Sequence, residues 1–176
     1  HYYAIKGGYN YSTLLNQEGT PQYSISSRST FNLALVYSNK MRTLPIGFSI
    51  EPGYILKGTK IDHDTLDYKL HYINMPILFD FYPIERVKIS AGPELAYLIS
   101  ARNLNDTITT DISNIYNKRW ELSGAIGVSF SPVFFMDVGF RYNMAFNYAA
   151  REDELLNARN LYNKYLQVYL ILKIAN

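Results

Sequence analysis

Apolar and polar residues alternate at every second position through long stretches of this chain. In Gly47–Lys57 (GFSIEPGYILK), Phe48, Ile50, Pro52, Tyr54 and Leu56 share one parity, while Ser49, Glu51, Gly53 and Lys57 share the other. The same split runs through Arg86–Ser100, where Val87, Ile89, Ala91, Leu95, Tyr97 and Ile99 oppose Lys88, Ser90, Gly92, Glu94 and Ser100. Side chains alternate faces along a strand, so each segment has one greasy face and one charged face. A water-soluble sheet turns its charges outward. Here the apolar parity also holds the Tyr, Phe and Trp, and the charged parity also holds Gly, Ala and Ser, as a crowded polar interior requires. The pattern reads as a transmembrane β-barrel.

Alternation and turn residues together predict eight strands, at 2–11, 28–38, 44–58, 68–82, 86–101, 118–130, 133–146 and 161–174. The connections alternate in length. Asn39–Thr43, Pro83–Glu85 and Ser131–Pro132 are short, whereas Ser12–Ser27, Gly58–Asp67, Arg102–Asn117 and Asn147–Asn160 are long and polar. In outer-membrane barrels short turns face the periplasm, long loops face outside, and an even strand number returns both termini to the periplasm. The expected fold is therefore all-β: an eight-stranded antiparallel up-and-down transmembrane β-barrel, with residues 1–176 forming a single domain. The chain opens on HYYAIKGGYNY, already strand-like, so His1 is expected near the start of a mature, processed protein. Ala149–Asn160 (AAREDELLNARN) reads equally as a helical turn or a solvated coil.

Parity, followed strand by strand, assigns a lipid face and a lumen. The lipid face collects Phe31, Leu33 and Leu35; Ile73, Met75, Ile77 and Phe79; Trp120, Leu122, Ile126 and Val128; Met136, Val138 and Phe140; and Leu166, Val168, Leu170 and Leu172. The inward face collects Lys6, Lys57, Lys88, Arg141 and Lys173 with Glu51, Asp80, Glu94, Glu121 and Asp137, five cations against five anions. Enclosed charges are strongly unfavourable unless paired, so this balance is what a packed ionic interior demands. An eight-stranded barrel is just wide enough for side chains to fill, which disfavours a porin role.

Composition narrows the alternatives. A net charge of +2 gives no basic field for nucleic acid, and none is expected as a partner. With 17 Tyr, 9 Phe and 1 Trp the chain is suited to aromatic girdles at two membrane interfaces. The absence of Cys excludes disulfides and thiolate metal sites. No uncharged apolar run approaches the roughly 18 residues of a spanning helix, so a membrane location requires a barrel.

Four short signatures occur in order: Ile5-Lys6-Gly7-Gly8, Glu51-Pro52 followed by Tyr54 and Lys57-Gly58, Tyr72-Ile73-Asn74-Met75-Pro76, and Ala91-Gly92-Pro93. With these in register with eight strands, the chain resembles the Bacteroidetes outer-membrane β-barrel family of PorT-like proteins, similar in architecture to the OmpA and OmpX barrels. It departs from that pattern at Asn74, where the family commonly carries an acid, and at its end, Leu172-Lys173-Ile174-Ala175-Asn176, which lacks the terminal aromatic typical of such barrels. The resemblance implies a plugged barrel that serves as an accessory part of a secretion or assembly machine. Pro52, Pro76 and Pro93 fall inside predicted strands, where each removes a ladder donor. A closed barrel has no edge to hold them, so bulges are expected there.

Catalysis needs a base within reach of a nucleophile or water. The histidines are His1, His63 and His71. His63, in Asp62-His63-Asp64, reads as part of a solvated loop rather than a metal site. His71 has the parity of Ile73 and Met75, which places it toward lipid near the outer rim, with no Ser or Asp visibly paired to it. Contact with lipopolysaccharide head groups is the favoured reading. Asp137 and Arg141, two same-face steps apart, fit an ionic network better than a catalytic pair. Asp64-Thr65-Leu66 and Asp106-Thr107-Ile108 match the D-[ST]-apolar pattern of Bacteroidetes O-glycosylation. No catalytic, cofactor or metal residues are assigned. The expected function is a non-porin outer-membrane barrel with a structural or interaction role, an accessory subunit of an envelope complex in secretion or outer-membrane assembly. Its expected partners are outer-membrane lipid or lipopolysaccharide and other outer-membrane or periplasmic proteins. The alternatives are a lipid A-modifying enzyme using His71, and a soluble lipocalin-like barrel with its greasy face inside.

Overall fold

A computed structural model of the chain describes residues 1–16, 25–61, 66–104, 109–111, 119–146 and 161–175. Its strands are β1 (Tyr2–Asn16), β2 (Ile25–Lys40), β3 (Ile46–Ile50), β4 (Gly53–Ile61), β5 (Leu66–Ile84), β6 (Val87–Leu104), β7 (Thr109–Asp111), β8 (Trp120–Val133), β9 (Met136–Ala145) and β10 (Leu161–Ala175). β3 and β4 are two lengths of one barrel strand, both paired to β2 on one side and β5 on the other. β7 lies beside the outer end of β6. The wall therefore has eight antiparallel strands, and it closes where β1 pairs β10 from Tyr3↔Ala175 to Asn16↔Leu161.

Burial follows the alternation. Leu35 is 63% exposed and Phe140 54%, while Lys6 is 1% exposed and Glu94 0%. Every residue assigned above to the lipid face is exposed except Met136, which is half-buried. The greasy face points out and the charges point in, which removes the lipocalin-like alternative. No helix among the described residues is long and apolar enough to cross a membrane.

Three features differ from the sequence-based expectation. The strands run further at the outer end: β1 reaches Asn16, β2 begins at Ile25, β4 reaches Ile61 and β5 begins at Leu66, all inside segments expected to be loop. Beyond the bilayer both faces of a hairpin meet water, so the ladder continues after the polarity contrast has ended. For the same reason β7, within Arg102–Asn117, left no alternation to read.

Secondly, no bulge occurs at Pro52, Pro76 or Pro93. Tyr37↔Ile50 and Ala34↔Gly53 keep one register, as do Ile50↔Ile77 and Gly53↔Asn74. The ladder lapses over Glu51-Pro52 and is stitched by Leu35 N donating to Pro52 O (2.9 Å) and Glu51 N donating to Pro76 O (3.1 Å). Pro76 and Pro93 sit in unbroken register opposite Glu94 and Gly124. A proline carbonyl still accepts, so only the missing donor is lost. Irregularities accompany Pro83 and Pro132 instead, beside the turns, and the last hairpin tip falls at Phe134-Phe135 rather than Ser131-Pro132.

Thirdly, a bulge at Ile99 puts His71 opposite Ser100 but Tyr72 opposite Leu98. The extra residue flips parity, so Ser100 shares the outward face of His71 instead of the inward one. His63, the Asp64-Thr65 and 106–108 glycosylation signals, and Ala149–Asn160 lie outside the described residues.

Candidate functional site

The lumen is filled by three layers of ion pairs. At mid-height Glu51, carried on the lapse between β3 and β4, meets Arg141 of β9, four strands away around the wall in either direction. Arg141 Nη1 donates to Glu51 Oε2 (2.6 Å) and Nη2 to Oε1 (2.8 Å), a bidentate fork across the barrel. Lys6 of β1 donates to the same carboxylate at 2.7 Å. Tyr169 of β10 covers both cations, with Lys6 Nζ 4.3 Å and Arg141 Cζ 5.2 Å from its ring centroid. Gly139 makes room for that ring, since a Cβ there would lie 2.5 Å from Tyr169 Cζ.

Toward the outer end Lys57 donates to Glu121 (2.6 Å) and lies 3.6 Å from Glu94. Glu94 also accepts from the Tyr165 hydroxyl (2.8 Å) and Asn143 Nδ2 (2.9 Å). Ile55, Leu70, Tyr72, Ala96, Leu98 and Tyr165 form a buried apolar cluster there, and Lys57 Nζ sits about 5 Å from the Tyr72 and Tyr165 rings. Toward the periplasmic end Lys88 lies 3.8 Å from Asp80, which accepts from Ser90 at 2.6 Å. Lys173 pairs Asp137 at 2.7 Å, and Ser131 donates to the same Asp137 oxygen.

All ten inward charges named from the sequence thus have an opposite charge within ion-pair distance, and Lys173, at the mouth, retains the most exposure. Burying a lone charge costs several kcal/mol even after relaxation, so the pairs hold one another in place and removal of one member orphans the rest (roughly 3–5 kcal/mol). Parity alone did not reveal Tyr165, Tyr169 and Asn143 as partners. They share the inward parity of Gln167 and Lys173 or of Arg141, a signal hidden because Tyr is equally at home at a lipid interface.

Outside, the wall carries aromatic residues at both ends. At the outer end Tyr97 packs on Trp120 (4.9 Å between ring centroids) and Phe31 on Tyr54 (6.3 Å). Tyr54 is also hydrogen-bonded through its hydroxyl to His71 Nδ1. At the other end Tyr3 and Tyr37 pack as tilted rings 5.3 Å apart, and Tyr37 meets Phe48 at 6.0 Å. Between them lies an apolar band on a closed sheet with a polar core, the arrangement a bilayer requires.

Residues 2–150 match the family model described as outer membrane protein beta-barrel domain. The chain belongs to this family. It is an integral outer-membrane barrel, with its short turns and both termini on the periplasmic side. Solved structures of the same fold include Neisserial surface protein A (16% identity, TM-score 0.60, covering 98% of this chain and 97% of that one). Ail, the attachment invasion locus protein of Yersinia pestis, solved with the heparin analogue sucrose octasulfate, is 14% identical with a TM-score of 0.56 over 98% of this chain and 97% of its own. OprG from Pseudomonas aeruginosa is 11% identical with a TM-score of 0.51 over 99% and 96%. Among curated proteins, none matches by sequence.

Proposed function

We propose that this outer-membrane barrel is a plugged, non-porin and non-enzymatic component with a structural and interaction role, an accessory subunit of an envelope complex in secretion or outer-membrane assembly, of the PorT-like kind found in Bacteroidetes. The observation that carries this reading is the lumen, crossed at mid-height by Arg141 and Glu51 and filled on either side by paired charges. Such a barrel offers surfaces rather than a path, and its partners are outer-membrane lipid or lipopolysaccharide and neighbouring envelope proteins. Native purification in mild detergent tests it. A defined set of co-purifying envelope proteins supports the reading, and a barrel recovered alone from crosslinked cells overturns it.

A second reading, modification of lipid A, is favoured by one observation. The Ile99 bulge sets Ser100 directly opposite His71, whose Nδ1 is bonded to Tyr54. The non-enzymatic reading stands first, supported by a lumen whose ten inward charges are paired with one another. Lipid A mass spectra of His71→Ala and Ser100→Ala strains separate the two: unchanged spectra support the accessory role, and a matching loss in both variants establishes the enzyme.

A further inference from the structure

The periplasmic end of the barrel carries large apolar side chains where only short turns are needed. Met41 (50% exposed) and Leu44 (52%) stand in the β2–β3 turn, Ile84 (63%) at the β5–β6 turn, and Phe134 (88%) at the β8–β9 tip. Ile174, at the end of β10, is 66% exposed. Guanidiniums flank two of these turns, at Arg42 and Arg86, both exposed and without an ion-pair partner among the described residues. Lys40 adds a third cation over the Tyr82 ring (4.6 Å to the centroid), against one anion, Glu85.

These tips are fixed in place. Tyr82 N donates to Pro45 O (2.7 Å), Ser131 N to Arg86 O (2.8 Å) and Lys173 N to Phe135 O (2.8 Å), so each hairpin is tied by backbone to the next barrel strand. Phe134 packs edge-on against Phe135 and remains clear of the wall. The apolar tips are therefore held outward instead of folding back over the mouth.

We propose that this rim is a binding ring for anionic phospholipid of the inner leaflet, with the tips in the acyl–headgroup boundary and Arg42 and Arg86 on the phosphates. Their distribution favours lipid over a protein partner: the anchors occur at all three turns and on the last strand, around the whole circumference, whereas a protein partner seats on one patch. Arginine's planar fork suits phosphate, and cations beside apolar anchors favour anionic over zwitterionic headgroups. The proposal rests on the outer-membrane location and not on the accessory-subunit reading, so the two fail separately.

The test reconstitutes the full chain in vesicles of phosphatidylcholine alone or mixed equally with phosphatidylglycerol, followed by native mass spectrometry of phospholipid retained after mild extraction. Wild type should retain phosphatidylglycerol preferentially, with a selectivity of roughly fivefold contributed by each guanidinium. The Arg42→Gln/Arg86→Gln double variant should lose the preference, and Phe134→Asn should lower retention of both lipids while keeping it. Raising salt on wild type, which needs no variant to fold, should erode the preference. Equal retention by wild type, a salt-independent preference, or a preference kept by the double variant overturns the proposal. Loss of a periplasmic protein from Phe134→Asn with unchanged lipid retention overturns it in favour of protein docking.

Discussion

Glu51 shows how one residue is constrained from several directions. Its carboxylate holds Lys6 and Arg141 together, its backbone N–H reaches Pro76 O, and it is 1% exposed. Glu51→Gln keeps the shape and removes the charge, leaving two cations in a closed lumen. We expect a loss of about 3–5 kcal/mol, read by urea unfolding in bilayers. Adding Lys6→Met to that variant should recover part of the loss, because the cation it removes has become unpaired; additive losses in the double-variant cycle would show that the pairs act independently. The sequence already marked Glu51 as inward by parity. It did not mark its partner, because Arg141 lies 90 residues away and meets it across the lumen rather than along a ladder.

At the scale of the strand, polarity contrast is what the sequence records, and it exists only where one face meets lipid. Arg placed at Val128 or Leu170 should therefore hinder assembly by roughly 2–4 kcal/mol near the midplane, whereas the same substitution at an extramembrane position of β1 or β2 should cost little. Folding yield into bilayers checks this, with unchanged yield for both midplane variants counting against the assignment. The Ile99 bulge gives a sharper case. A cysteine at Ser100 should react with a membrane-impermeant or lipid-phase reagent from outside the wall, and deletion of Ile99, which leaves Leu98 inward and the cysteine opposite His71, should keep it reactive. Protection of that cysteine in the chain that keeps Ile99 would show that the bulge does not set the face.

For the whole molecule, a filled eight-stranded lumen predicts no steady single-channel conductance from pure reconstituted protein. Reproducible ohmic openings would mean that the ion-pair layers part under voltage or that the lumen is hydrated throughout. The intact barrel should also run differently on unboiled and boiled gels, since closure leaves no edge from which detergent can unzip the sheet.

The eight-strand count, the outward greasy face and the ten inward charges were all legible in the sequence, because side-chain alternation has a fixed period and a bilayer imposes opposite chemistry on the two faces. What only the tertiary structure decided were the relations with no sequence period: which anion meets which cation across the lumen, the roles of Tyr165 and Tyr169 as interior cover, and the unbroken register through Pro52, Pro76 and Pro93. The extent of the outer hairpins and the turn of Ser100 to the outward face belong to the same class. Pairing across a closed barrel depends on shear and on the handful of residues where the ladder gains or loses a step, and neither quantity leaves a mark on the local alternation of polar and apolar positions.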